Sequence, residues 1–139
     1  MNSEETNNEW QHELWHIDLD WYKANGCSFF ILAQNYPCPR CRKRLKKEAK
    51  AEDVMKAVST CCSKKENFIT AGMPVMSSVF RYFLANGNQP VALETLSKEL
   101  SEWRGTIAGT SPEVLRRLLV NDRYYGITIV AENVAEKAG

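Results

Sequence analysis

Four cysteines carry the strongest chemical signal in the chain. Cys38 and Cys41 form a C-x2-C turn within "YPCPRCRKRLKK", and nineteen residues further on come the neighbours Cys61 and Cys62. A tetrahedral zinc site takes four soft ligands, and a C-x2-C turn presents two thiolates from one tight loop. A second cysteine element about 15 to 20 residues away closes such a cage. Pro37 and Pro39 stiffen the first turn. The second half departs from the usual spacing, because adjacent side chains reach one ion only if the backbone bends between them. Three closures are open. Cys61 and Cys62 both join Cys38 and Cys41, or one of them joins with Cys27, His16 or His12, or the pair is half-buried at a helix end. The expected set is Cys38, Cys41, Cys61 and Cys62 around a structural Zn2+.

Two other chemistries compete. Free cysteines behave as small hydrophobes and are often buried. A dithiol at Cys38 and Cys41 would gain acidity from Arg40, Arg42, Lys43 and Arg44. A redox C-x2-C, however, accompanies a βαβ pattern, which does not surround this one. A structural ion also has a purpose here. The segment 38–65 is poor in large apolar residues, and Leu45, Val54, Met55 and Val58 could not fold it alone. Metal binding supplies roughly 10 kcal/mol or more of folding free energy in small zinc modules. Neither an open ligand position nor a general base accompanies the cysteines, so no enzymatic activity is expected. Glu48, Glu52 and Asp53 read as charge partners of the lysines.

The chain that positions these cysteines has 139 residues, with 44% apolar and 25% charged side chains, as in a folded domain and not a disordered segment. Net charge is +1 but unevenly spread. Positions 1–23 hold six acids and one lysine, positions 24–65 hold ten lysines and arginines against three acids (a local +7), and the remainder holds seven against eight. The middle segment could therefore attract phosphate. No long apolar run offers a membrane span, and the polar, acidic start lacks the features of a secretory signal. The expected location is cytoplasmic, where thiols stay reduced. No phosphate-loop, dinucleotide, zinc-protease or serine-hydrolase motif occurs. His12 and His16 read as surface residues, Asp18 and Asp20 as capping or polar-face residues, and the tryptophans at 10, 15 and 21 as packing residues.

"HIDLDW" alternates as a strand would, yet Asp18 could cap a short helix running to Gly26, and the helix is preferred. "CSFFILA" (27–33) reads as a buried strand. A polar helix bearing Val54, Met55 and Val58 ends at "STCC". Residues 64–74 read as a linker anchored by Phe68 and Ile69. Beyond Pro74, Met76, Val79, Phe80, Phe83 and Leu84 follow the period of an amphipathic helix. A second helix carries Leu93, Leu96, Leu100 and Trp103. A third begins at Ser111 and Pro112 and buries Val114, Leu115, Leu118 and Leu119. "YYGITIV" reads as a strand.

The order helix (76–86), "QPV", helix (93–103), helix (111–121), strand (124–130) resembles a winged helix-turn-helix domain. The resemblance rests on "PVALETLSKEL", "TSPEVLRRLLVNDRYYG" and "YYGITIV". It implies that the third helix enters the DNA major groove, with Glu113, Arg116, Arg117 and Val120 facing outward and Arg123 at the base of the wing. The helix-to-helix loop "RGTIAGTS" is longer than the usual turn, and Ala92 stands where a capping residue is expected. The whole chain is also similar to an uncharacterised bacterial family that pairs "CPxC … CC" with "LANGNQP" and "SPEVLxRLL … YYG", a likeness that implies architecture alone.

The sequence thus predicts an α+β, mostly helical fold in which a small zinc-binding module packs against a winged-helix-like three-helix domain. The expected division is a tail at 1–9, the zinc module at 10–73, the winged-helix-like domain at 74–130 and a tail at 131–139. The expected function is a transcription-type nucleic-acid-binding accessory or regulatory factor. Arg42, Lys43, Arg44, Lys46, Lys47, Arg116, Arg117 and Arg123 would contact nucleic acid. The partner is DNA or, in the alternative of an interaction adaptor, another protein, with no membrane and no small-molecule substrate. A thiol redox sensor is the third reading.

Overall fold

The computed structural model describes residues 12–45, 50–65, 67–105 and 110–130. Its elements are β1 (Leu14–Ile17), α1 (Leu19–Ala24), α2 (Phe29–Ala33), α3 (Pro39–Arg44), α4 (Ala51–Thr60), a 3-10 turn (Cys62–Lys64), α5 (Val75–Ala85), β2 (Val91–Ala92), α6 (Leu93–Arg104), α7 (Pro112–Val120) and β3 (Ile127–Ile129). The fold is α+β and mostly helical, with one three-stranded sheet ordered β2-β1-β3. Both pairings are antiparallel, with Trp15 opposite Val91 on one side and Ile129 on the other. The middle strand therefore comes from the N-terminal segment, and its two neighbours come from beyond residue 74.

Alternation in "HIDLDW" holds only as far as Ile17. Asp18 then takes a β conformation and its side chain accepts from the Asp20 N–H, which starts α1. The strand expected over residues 27–33 is instead helix α2. Ser28 caps it by accepting from the Ile31 N–H at 3.2 Å, and Phe29 and Ala33, four residues apart, are the buried positions. The cap and this spacing suit a helix, whereas a strand would have buried alternate residues. Ile31, apolar in sequence, is 63% exposed.

The core gathers Trp15 and Ile17 from β1, Val54 and Val58 from α4, Val79, Phe80, Phe83 and Leu84 from α5, and Leu93, Leu96 and Leu100 from α6. Leu115 and Leu119 of α7 and Ile127 of β3 complete it. Of the stripe expected on α5, Val79, Phe80, Phe83 and Leu84 are buried and Met76 is half-buried. On α7 the expectation is partly corrected, since Val114 is exposed and Leu118 only half-buried. The helix points Leu115 and Leu119 inward, and Val114 lies a residue off that line. Phe68 and Ile69 are buried as anchors of the linker, and Phe68 packs on Trp103.

Side chains make the joins that the backbone cannot. Continuing the β1–β2 ladder past Trp15 would set His16 against Pro90, which has no N–H to donate. Asn88 replaces the missing ladder. Its Oδ1 accepts from the Ile17 N–H at 2.8 Å and its Nδ2 donates to the Ile17 carbonyl at 2.9 Å. Ala92 offers α6 no side-chain cap, and the Leu93 N–H donates to the Glu13 carbonyl. Asp122 accepts from the N–H groups of Tyr124, Tyr125 and Ile127, which sets the approach to β3. Gly126 completes that approach at φ 69, where a Cβ would lie 2.8 Å from the Tyr22 ring. Arg104 donates to the Met73 carbonyl at 2.7 Å and to Ser78 Oγ at 2.9 Å, fastening the linker to α5 and α6.

Asn88 sits at φ 61, so its removal separates two effects. Asn88→Gly keeps the backbone conformation and loses both bonds to Ile17, and should cost about 2 kcal/mol in urea denaturation. Asn88→Ala should cost about 1 kcal/mol more, because a Cβ disfavours the left-handed region.

Candidate metal centre

The two halves of the cysteine set arrive on separate elements. Cys38 is the N-cap residue of α3, Pro39 begins the helix, and Cys41 lies buried on its first turn. Helix α4 stops at Thr60, and Cys61 adopts φ −129 and ψ −64, outside helical geometry. Cys62 then opens the 3-10 turn. That break supplies the bend which lets neighbouring side chains converge.

The sulfurs of Cys38, Cys41, Cys61 and Cys62 all lie within 4.8 Å of one another. Cys38 Sγ and Cys61 Sγ are 4.0 Å apart. A regular tetrahedron with metal–sulfur bonds of about 2.3 Å has sulfur–sulfur edges of about 3.8 Å. A disulfide needs about 2.05 Å, and all five cysteines are free. The four sulfurs could hold a metal ion with small inward shifts. The Cys38 N–H also donates to Cys62 Sγ at 3.1 Å, a bond that favours a thiolate.

The electrostatics of the cluster are divided among its members. The Cys41 backbone N–H holds the Cys38 thiol down at about 6, against the opposing effect of desolvation. Burial, followed by the neighbouring thiols, pushes Cys41 up to about 12. Burial likewise raises Cys62. Without a cation, Cys38 ionises readily while burial keeps Cys41 and Cys62 protonated. A bound divalent ion would reverse that balance.

Of the three closures open in sequence, the structure brings together the one with both Cys61 and Cys62. Cys27 is exposed and its thiol meets the Asn25 carbonyl. His12 is exposed. His16 lies in β1, its pKa lowered by burial with partial compensation from Asp18. None of these belongs to the cluster.

The basic residues are dispersed. Arg42 donates through Nε to the Pro37 carbonyl at 3.0 Å and through Nη2 to the Asn35 carbonyl at 3.1 Å, bracing the approach to Cys38. Lys43 and Arg44 are exposed in the last turn of α3. Lys46 and Lys47 lie outside the described residues. Arg116 pairs with Glu13 at 3.2 Å, while Arg117 and Arg123 are exposed. Arg116 and Arg117 line a shallow groove of about 310 Å³ with Glu113, Val120 and Asn121.

One neighbouring group has no signal in the sequence. The Arg81 guanidinium lies 4.8 Å from the centre of the Tyr36 ring and 5.6 Å from that of Phe68. Arg81 sits within a helix whose legible feature is its apolar stripe, and nothing in the spacing links it to either ring. Comparison with family models, curated proteins and solved structures returns no match. The reading of the site rests on its own chemistry.

Metal uptake at pH 7 should release at least two protons per ion, from Cys41 and Cys62, measured by calorimetry in buffers of different ionisation enthalpy. Because these thiols are protonated in the metal-free protein, apparent affinity should fall at least about a hundredfold for each pH unit below neutrality, and more steeply near pH 6 where Cys38 also takes up a proton. Cys41→Ser should lose the metal through dialysis, and Cys27→Ser should retain it.

Proposed function

We propose that Cys38, Cys41, Cys61 and Cys62 hold one structural Zn2+ in a non-enzymatic, nucleic-acid-binding accessory or regulatory factor of transcription type. The four-sulfur cluster carries the metal half of this reading. An all-sulfur tetrahedral set suits zinc or iron, and zinc brings no redox chemistry of its own. Four protein ligands leave no position open for a substrate. The ion would act by tying α3 to the end of α4.

Helix order supports the nucleic-acid half. The sequence α5–β2–α6–α7–β3 resembles a winged helix-turn-helix, with α7 in the place of the helix that enters the major groove. Exposed Lys43 and Arg44 belong to a segment with a local charge of +7. In this reading they meet phosphates while Arg117 and Arg123 border the groove. Among the described residues no helix is long and apolar enough to cross a membrane, and a cytoplasmic location is part of the proposal.

Specific observations favour a second reading, an interaction adaptor on the same scaffold. Arg116 is paired with Glu13, which diverts one positive charge of α7 from a phosphate partner. Val114 and Val120 are 38% and 49% exposed on that helix. Fold alone does not choose between these roles.

Elemental analysis should give one zinc per chain. Duplex DNA binding should weaken steeply with salt, and replacing Lys43 and Arg44 together by Gln should reduce the slope of log K against log salt by about 0.9 per lost phosphate contact. Absence of binding at low salt would remove the nucleic-acid reading. A protein partner retained after nuclease treatment would establish the adaptor.

A further inference from the structure

Beside the cysteine cluster lies a cleft of about 340 Å³ that no role described so far employs. Cys38 and Cys62 form part of its wall. Three cations line it: Arg42 from α3, Lys65 just past the 3-10 turn, and Arg81 from α5. Asn35 and Asn67 add amide groups, and none of its described lining residues is acidic. Like charges gathered in one concavity repel one another and are costly to hold without a counter-charge.

Two of the three cations are positioned rather than free to swing away. Arg42 is pinned by its bonds to the Pro37 and Asn35 carbonyls. Arg81 is held between Tyr36 and Phe68 by cation–π contact, and its buried Nε has no hydrogen-bond partner among the described residues. Burial lowers the Arg81 pKa, and the nearby Arg42 charge lowers it further, partly offset by Tyr36 and Tyr125. Lys65 is exposed at the mouth. Planar guanidinium groups match the oxygens of phosphate and carboxylate. Three cations with no acid among the described lining residues favour a dianion over a monoanion.

We propose that this cleft, lined by Arg42, Lys65, Arg81, Asn35 and Asn67, binds a phosphate monoester. The ligand is a small phosphorylated molecule or the terminal phosphate of a nucleic acid, two sources of one chemistry. No spacing in the sequence points to a small ligand, because the three cations come from three separate parts of the chain. The site stands apart from α7, so it does not depend on whether a duplex is bound there. Its wall includes two of the metal-binding cysteines, so it requires the metal-loaded protein.

The test is a titration of the zinc-loaded full chain with inorganic phosphate at pH 7.5 and constant ionic strength, followed by amide resonances. Saturable shifts at Lys65, Asn67 and Arg81 at submillimolar phosphate are expected, with no saturation by chloride. Lys65→Gln and Arg81→Gln should each weaken binding about tenfold. Asn67→Asp, which places a carboxylate in the exposed part of the cleft, should abolish it. Should Arg81→Gln fail to fold, the surface variants Lys65→Gln and Asn67→Asp decide alone. Preference for a 5′-phosphorylated oligonucleotide over its 5′-hydroxyl counterpart would assign the nucleic-acid end, and equal affinity with phosphate binding intact would assign a small molecule. Phosphate shifts that do not saturate, or that Lys65→Gln and Asn67→Asp leave unchanged, would overturn the proposal.

Discussion

The gathering of four sulfurs within 4.8 Å of one another is the constraint that links α3 to the end of α4. Four thiolates at that spacing need a cation, and four thiols would leave weak donors and acceptors poorly matched. Helix α3 has six residues and the turn after α4 has three. Elements so short do not persist by themselves, since helix nucleation is unfavourable. Helix α4 is better placed, because Val54 and Val58 are fully buried against the core. The segment is therefore held at one face by packing, and at one end four sulfurs could hold a metal ion. Lys43, Arg44, Lys64 and Lys65 remain on the surface.

Away from the cysteines, long-range order depends on polar side chains that substitute for backbone pairing. Asn88 supplies an amide where Pro90 interrupts a ladder, and Asp122 organises three N–H groups before β3. Ser97 donates to the Thr110 carbonyl at 2.6 Å, joining α6 to the residue before the α7 cap. Each such bond contributes modestly, and an unmatched buried group would cost more than the bond contributes. These joins set the register between elements whose apolar faces alone would tolerate sliding.

Local physics was legible in the sequence. The apolar period of α5 and α6, the Ser111 cap with Pro112, the Asp18 cap and the C-x2-C turn each announce themselves within a few residues. Helix α2 was misread because a short apolar run carries no decisive period, and Ser28 tipped it. The convergence of Cys61 and Cys62 was expected only on condition of a bend, and the end of α4 provides it. What sequence could not show were the contacts between distant residues. Glu13 with Arg116, Ile17 with Asn88, and Arg81 between Tyr36 and Phe68 depend on assembly, and no spacing rule predicts them. The sequence also offered no hint that the central strand would come from the N-terminal segment.

That placement of β1 bears on how the chain acquires its structure during synthesis. Residues 14–17 leave the ribosome early, yet their partners on one side, residues 127–129, are translated more than a hundred codons later. Trp15 and Ile17 must wait, apolar and uncovered, while the helices between them and β3 form first. Closing so long an intervening loop is entropically costly and slow, whereas helical segments collapse quickly. A nascent chain stalled before β3 would lack the partner of one edge of β1 and would display that unpaired edge to chaperones or to its neighbours.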